Sequence, residues 1–211
     1  MFEIVKPNEI EKKSFEIITS ELGGRTFAPE IEPIVKRVIH TSADFDYADN
    51  LVFTEGAVPR ALEALKKGAH IVTDTTMAMS GINKRTLAAL GGEVHCFIGD
   101  EDVAQQAKER GVTRSMVSME KAAAMEVPMI FAIGNAPTAL ISLCELMDRG
   151  VVSPELVIGV PVGFVNVVES KELVLEHEVP AIVARGRKGG SNVAAAIVNA
   201  LLYQVRQREG F

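Results

Sequence analysis

The chain has 211 residues, of which 47% are hydrophobic and 24% are charged. This length and balance predict one compact domain over residues 1–211 and exclude an intrinsically disordered chain. The net charge of −6 argues against a nucleic-acid-binding surface, since such surfaces are strongly basic.

Cysteine usage and the apolar runs predict a soluble, cytoplasmic protein. Cys96 and Cys144 lie in apolar segments without metal-like spacing, so we expect both to be reduced core residues. The stretch from Met1 to Ile4 lacks a signal-peptide pattern, and no apolar run approaches the roughly 18 residues needed to cross a bilayer. No membrane or nucleic-acid partner is therefore expected.

Two helices are predicted at the start of the chain. The first begins near Asn8, a favourable N-cap with Glu11 three residues later, and ends at Gly23. The second follows Pro29 and has an apolar stripe on one side. At about 100° per residue, His40 lies off that stripe, at the C-terminal end of the helix.

Six short apolar runs follow, and each precedes a longer segment of helical character. This alternation predicts an α/β fold with a mainly parallel β-sheet covered by helices on both faces. The runs are Leu51–Phe53, Ile71–Thr73, Val94–Ile98, Met129–Ile133, Leu156–Val160 and Ala181–Ala184.

The segments after four of these strands are rich in small residues. They are Asp74–Gly81, Gly134–Thr138, Pro161–Phe164 and Arg185–Ser191. Ligands of α/β proteins bind at the carboxyl ends of the strands, so four such loops on one rim would leave room for a large, flat ligand. Taken singly, each loop is also consistent with a tight turn into a helix.

The last of these loops has the composition of an anion-binding site. It reads Arg185-Gly-Arg-Lys-Gly-Gly-Ser191 and opens an alanine-rich helix. A helix start offers unpaired N–H groups, the glycines permit close approach, and Arg187 and Lys188 add positive charge. Neither nucleotide-binding glycine pattern fits, so carboxylates and phosphates both remain candidates. The alternative is a solvated basic turn.

His40 is the histidine most suited to proton transfer. It lies near a helix C-terminus, where the protonated form is favoured, and precedes the polar stretch Thr41–Tyr47. A capping role is the alternative. His70 and His95 are interpreted as structural and His177 as a surface residue, and no metal site is predicted because the spacing of the histidines and carboxylates closes no ligand set.

Two further residues have ordinary alternatives. Arg114, at the start of a helical segment, could form a surface ion pair with Glu120 or Glu109. Ser14 lies within the first helix, where serine is usually just exposed. A serine hydrolase is disfavoured because the chain has no Gly-x-Ser-x-Gly segment.

In order and spacing, the sequence resembles the precorrin-8X methylmutase family, including its cobalt-precorrin-8 members, over essentially the whole chain. The matching segments are 14–18, 38–46, 53–57, Asp74 with Met77 and Gly81, 113–115, 134–140, 161–165 with 169–171, and 186–191.

The resemblance implies an isomerase that moves a methyl group from C11 to C12 of a corrinoid ring in cobalamin biosynthesis, without a cofactor or external methyl donor. It implies that His40 is catalytic and that Ser14 and Arg114 contact the substrate, in a homodimer with active sites near the interface. The carboxylates at the ring's edge would suit the loop residues Arg187, Lys188, Gly189, Gly190 and Ser191. One histidine that adds and removes a proton would suffice for such a rearrangement.

Two other functions remain open at this point. The basic loop would also suit a phosphate-ester or nucleotide-dependent transferase. The same pocket could serve a tetrapyrrole carrier that binds the ring without changing it.

Overall fold

All six strands form one sheet, in the order β1-β6-β5-β4-β2-β3. The computed structural model describes residues 6–209, so the signal-peptide prediction, which concerned residues 1–4, lies outside the described residues. The strands are β1 (Leu51–Phe53), β2 (His70–Thr73), β3 (Val94–His95), β4 (Met129–Ile133), β5 (Leu156–Gly159) and β6 (Ala181–Ala184). Neighbours are parallel except β1 and β6, which are antiparallel. The predicted α/β fold is confirmed.

Helices precede the sheet and link its strands. They are α1 (Pro7–Glu21), α2 (Glu32–Ser42), α3 (Tyr47–Asn50), α4 (Ala57–Lys66), α5 (Thr76–Gly81), α6 (Lys84–Ala89), α7 (Glu101–Arg110), α8 (Arg114–Ala123), α9 (Pro137–Asp148), α10 (Val167–Glu176) and α11 (Ser191–Glu209). Among the described residues, no helix combines the length and the apolar character needed to span a bilayer.

The first helix begins near Asn8 as predicted, but two details are wrong: the residue that caps this helix and the length of the third strand. Lys6 is the N-cap of α1 and Pro7 its first residue, so Asn8 lies inside the helix. Proline suits this position because its fixed φ is helical and its missing N–H is not needed there. The run expected as Val94–Ile98 forms only the two-residue strand β3, because the chain turns where the Asp100 N–H donates to the Phe97 carbonyl.

The sheet separates two apolar layers. Helices α1, α2, α4 and α11 bury side chains on one face, and α8, α9 and α10 do so on the other. Helices α5 and α11 pack closely because small residues meet between them: a Cβ added at Gly81 of α5 would lie only 2.9 Å from the Cβ of Ala195 of α11. Cys144 is buried as expected, whereas Cys96 is half-buried, and both are free thiols.

Candidate active site

The loop after β2 is bonded to the loop after β4 through one buried carboxylate. Asp74 is 1% exposed and accepts hydrogen bonds from the backbone N–H groups of Gly134, Asn135 and Ala136, at 2.9, 2.8 and 2.7 Å. Burial raises the pKa of Asp74, and the three donors oppose that rise. Asp74 therefore fixes the start of α9 from a neighbouring strand.

The basic loop packs against the same two loops. Ser191 Oγ lies 2.7 Å from Thr75 Oγ1, and a Cβ at Gly134 would lie 2.6 Å from the Cα of Ser191. At Gly189, a Cβ would lie 2.1 Å from the Val160 carbonyl oxygen, and the Gly190 N–H donates to that same oxygen at 2.9 Å. The loops after β2, β4, β5 and β6 thus meet at one rim, and Gly134 and Gly189 are needed for packing between them.

Helix α11 begins at this rim. The Gly190 carbonyl accepts the first bond of the helix, from the Ala194 N–H, so the N–H groups of residues 191–193 have no partner within it. Because α11 is 19 residues long, its N-terminus also carries the partial positive charge of a long helix. This geometry suits an anionic group.

A buried lysine is hydrogen-bonded to the backbone of the basic loop. Lys171 of α10 is 0% exposed, and its Nζ donates to the carbonyl oxygens of Gly186 and Lys188, both at 2.8 Å. Burial lowers the pKa of Lys171 to about 8. The sequence interpretation gave this residue no individual role. Its spacing of four residues from Val167 and three from Val174 puts it on the apolar side of α10, a signal that could have singled it out.

Lys188 joins the loop to the segment that follows α2. Its Nζ lies 2.6 Å from carboxylate oxygens of both Asp44 and Asp46. The hydrogen bond from Lys188 is the largest cause of a lowered pKa at Asp44. The loop is therefore held beside the C-terminal end of the helix that carries His40.

The two arginines of the loop have different surroundings. Arg185 forms an ion pair with Glu172, with both nitrogen–oxygen distances at 3.1 Å. The Arg187 guanidinium lies 5.4 Å from the ring centre of Phe164, a side chain that is 81% exposed. Arg187 and Phe164 thus form an open, partly apolar edge of the rim.

His40 lies in the last turn of α2 with its ring open to solvent. The ring stacks on Phe15 of α1, with centroids 5.3 Å apart and planes inclined by 22°. The helix ends just beyond, where Ala43 has a left-handed φ of 53°. Within residues 6–209 the His40 ring forms no hydrogen bond, so it does not cap α2 through its nitrogens, and they remain accessible to a ligand.

Ser14 precedes Phe15 in α1, the helix that contacts His40 of α2 through the Phe15 ring. Its hydroxyl donates to the Ile10 carbonyl at 2.9 Å, and the side chain is half-buried. Ser14 and His40 thus lie on two helices that contact each other through Phe15.

Arg114 begins α8, which packs on the other face of the sheet, and it lies near the start of α9, because the hydroxyl of the preceding Thr113 donates to Thr138 Oγ1 at 3.0 Å. It is the exposed first residue of α8, whose buried side chains Met119 and Ala122 belong to the opposite apolar layer from α2. The expected ion pairs are absent, because Glu120 pairs with Arg110 and Glu109 with Gln105. In the described chain Arg114 has no ion pair.

The chain is similar to known proteins over nearly its whole length. The family model described as precorrin-8X methylmutase matches residues 9–204. The cobalt-precorrin-8 methylmutase of Salmonella typhimurium is 49% identical, covering 98% of this chain and 100% of its own, and the precorrin-8X methylmutase of Pseudomonas aeruginosa is 40% identical, covering 91% and 93%. The crystal structure of precorrin-8X methylmutase from Thermus thermophilus superimposes with a TM-score of 0.87 at 37% identity, covering 95% and 98%.

Proposed function

The chain belongs to the precorrin-8X methylmutase family, and we propose that His40 carries out the proton transfers of its reaction at the rim formed by the four loops. The protein is an isomerase of cobalamin biosynthesis. It moves a methyl group from C11 to C12 of precorrin-8X or cobalt-precorrin-8, which yields hydrogenobyrinate or cobyrinate.

One observation carries the assignment of the site. The contacts of Lys188 with Asp44 and Asp46 hold the basic loop beside the end of α2, so the predicted proton donor and the predicted anion-binding loop share one rim. The substrate is a flat ring with acetate and propionate groups around its edge. A site that combines Arg187 and the N-terminus of α11 at its border with an accessible imidazole matches both features.

The mechanism follows from these positions. Protonated His40 gives its proton to the conjugated ring, which becomes electron-poor enough for the methyl group to leave C11 and bond to C12. Neutral His40 then takes a proton back from the ring, so the isomerisation consumes no net proton. Ser14, next to the ring of Phe15 that supports His40, contacts the substrate at the same place.

The test is a turnover assay with metal-free precorrin-8X and cobalt-precorrin-8 in parallel. We expect the absorption spectrum to change with at least one of them as the ring rearranges. Binding without any spectral change would instead make the protein a tetrapyrrole carrier. Thermal protection by nucleotides or phosphate, but not by corrinoid acids, would favour the transferase.

Arg187, Lys188 and the backbone of Gly189, Gly190 and Ser191 are proposed to bind ring carboxylates. The Arg187→Ala and Lys188→Ala variants should each weaken product binding by roughly 1 to 3 kcal/mol, the scale of a charge-assisted hydrogen bond. Lys188→Ala should also reduce turnover, because it releases Asp44 and Asp46 near His40.

Product affinity is measured by absorbance titration with hydrogenobyrinate or cobyrinate. Lys67→Ala is the matched control, since Lys67 is an exposed lysine paired with Glu63 at the end of α4. If both loop variants bind product as tightly as the Lys67→Ala variant, residues 187–191 are a solvated turn.

We propose that Arg114 contributes to an active site formed by two copies of the chain. Arg114 is exposed and without an ion pair in the described chain, and it begins α8 beside the start of α9, whereas His40 ends α2, which packs on the opposite face of the sheet. In a homodimer, the second copy would bring its Arg114 to the ring held at the first copy's His40. The exposed apolar side chains Phe164 and Val165 at the rim favour burial in such an interface.

Complementation tests this arrangement. His40→Ala and Arg114→Ala are each expected to be nearly inactive, yet co-expression of the two should restore about a quarter of wild-type activity, because half of randomly paired dimers contain one intact site of two. Light scattering should give twice the mass of the chain. Activity that fails to return in verified mixed dimers would place Arg114 at its own chain's site.

A further inference from the structure

Three metal-ligating side chains meet at the edge of the sheet formed by β2 and β3. One ligand atom each from His70, Glu93 and His95 lies within 4.8 Å of the other two. The Nδ1 of His70 is 2.8 Å from the Nε2 of His95, and the ring planes differ by only 11°. The centroids are 5.1 Å apart, which is the separation of two rings joined end to end through these nitrogens.

Strand register explains why they meet. Ile71 pairs with Val94 and Val72 with His95 in a parallel ladder, so His70 lies beside Glu93. Side chains two residues apart in a strand point to the same face, and all three therefore project from one side of the sheet. The distance of more than 20 residues between His70 and the other two hides this set in the sequence.

We propose that His70, His95 and Glu93 bind one divalent transition metal ion of the zinc or cobalt class. Two imidazole nitrogens and a carboxylate oxygen are the ligands that such ions prefer, and water can complete the coordination. Without metal, one ring donates its N–H to the other. To bind the ion, that ring releases this proton and takes one up at its other nitrogen, so both imidazoles stay neutral, and the two rings turn so that both lone pairs face the ion at about 2.0 to 2.1 Å.

The surroundings suit a structural site. Phe97 lies parallel to the His95 ring, with centroids 5.9 Å apart, and so limits the rotation of His95. Strand β3 has two residues and only β2 as a neighbour, so few backbone bonds hold it. A metal ion bound by both His70 of β2 and His95 of β3 would stabilise the pairing of these two strands. Val72 and Phe97 belong to the apolar layer on the face opposite α2, so the site is distinct from that of His40.

Metal binding to the full chain, without a polyhistidine tag, tests this proposal. We expect one equivalent of Zn²⁺ or Co²⁺ to remain after dialysis, a visible Co²⁺ absorption typical of nitrogen ligation, and a higher Tm with Zn²⁺. His70→Gln, His95→Gln and Glu93→Gln should each weaken binding by about tenfold or more. Turnover is not part of the readout, so the result is independent of the proposed reaction.

The matched control is His177→Gln. The sequence interpretation of His177 as a surface residue is wrong, because its half-buried ring lies at the end of α10 with its nitrogens bonded to the Leu173 carbonyl and Asp148. The His177→Gln variant should bind metal like the wild type. Circular dichroism of the metal-free variants tests whether they are folded. Glu93→Gln replaces only the carboxylate of an exposed residue, so it can be measured even if a histidine variant does not fold. The proposal is overturned if the wild type does not bind one equivalent of metal. It is also overturned if the His95→Gln and Glu93→Gln single variants both bind metal as tightly as the wild type.

Discussion

Replacement of His40 by asparagine or alanine is expected to lower kcat by about 100- to 10,000-fold, the range of general acid–base catalysis. Product affinity should change by no more than about threefold, because most of the affinity for the ring comes from buried area and border charges. The fall in kcat is expected even for asparagine, because its side chain retains hydrogen-bonding groups but cannot exchange a proton near neutral pH. The rate is followed by the colour change of the ring and the affinity by absorbance titration.

The structure makes these two quantities separable. His40 is exposed and its ring stacks on Phe15, so its loss removes little of the core. His177→Asn is the control for a general effect of losing a histidine, since His177 lies at the end of α10. A His40→Asn variant with near-normal turnover would show that His40 only orients the ligand.

The centre of the sheet could be predicted because β4, β5 and β6 are short, fully buried apolar runs bounded by turns. Met129–Ile133 and Ala181–Ala184 have the predicted bounds, and every residue in them is buried. The direction of β1 could not be predicted in the same way. It pairs antiparallel with β6, and the Arg185 N–H donates to the Asn50 carbonyl, a contact between distant parts of the chain that leaves no periodic signal.

The rim was predictable in outline, and its internal bonds were not. Small residues after four parallel strands indicate loops that gather at one edge, because that is where the carboxyl ends of the strands lie. The partners of Asp74 and Lys171 depend on which strands are neighbours. Asp74 reaches residues 134–136, about sixty positions away, only because β2 and β4 are adjacent. An aspartate directly after a buried strand was the available signal.

The proposed metal site also could not be predicted from the sequence. Its ligands are His70, Glu93 and His95. Their separation along the chain gives no metal motif, and only the pairing of β2 with β3 brings them together. The exposed position of His40 was more accessible to sequence reasoning, because a helical stripe shows directly which residues lie off the apolar face.

Replacement of Asp74 by alanine is expected to reduce the free energy of unfolding by about 3 to 5 kcal/mol. Three N–H donors would lose a buried carboxylate, and each such bond is worth roughly 1.5 to 3 kcal/mol. The sum is larger than the expected effect, because the substitution also removes the cost of burying a charge, the same cost that raises the pKa of Asp74.

The Asp74→Asn variant separates the bonds from the charge. Its amide has nearly the same shape but offers one oxygen to three donors and turns an N–H₂ group toward the rest, so it should lose an intermediate amount of stability. Urea unfolding measures these differences, with Asp49→Ala as the matched control because Asp49 forms an exposed ion pair with Arg25 worth less than about 1 kcal/mol. If Asp74→Ala unfolds at the same urea concentration as Asp49→Ala, the three backbone bonds contribute nothing net and the start of α9 must be fixed by its packing. A fall in product affinity beyond the loss of stability would show that Asp74 also shapes the rim, since Gly134 packs directly against Ser191 at the start of α11.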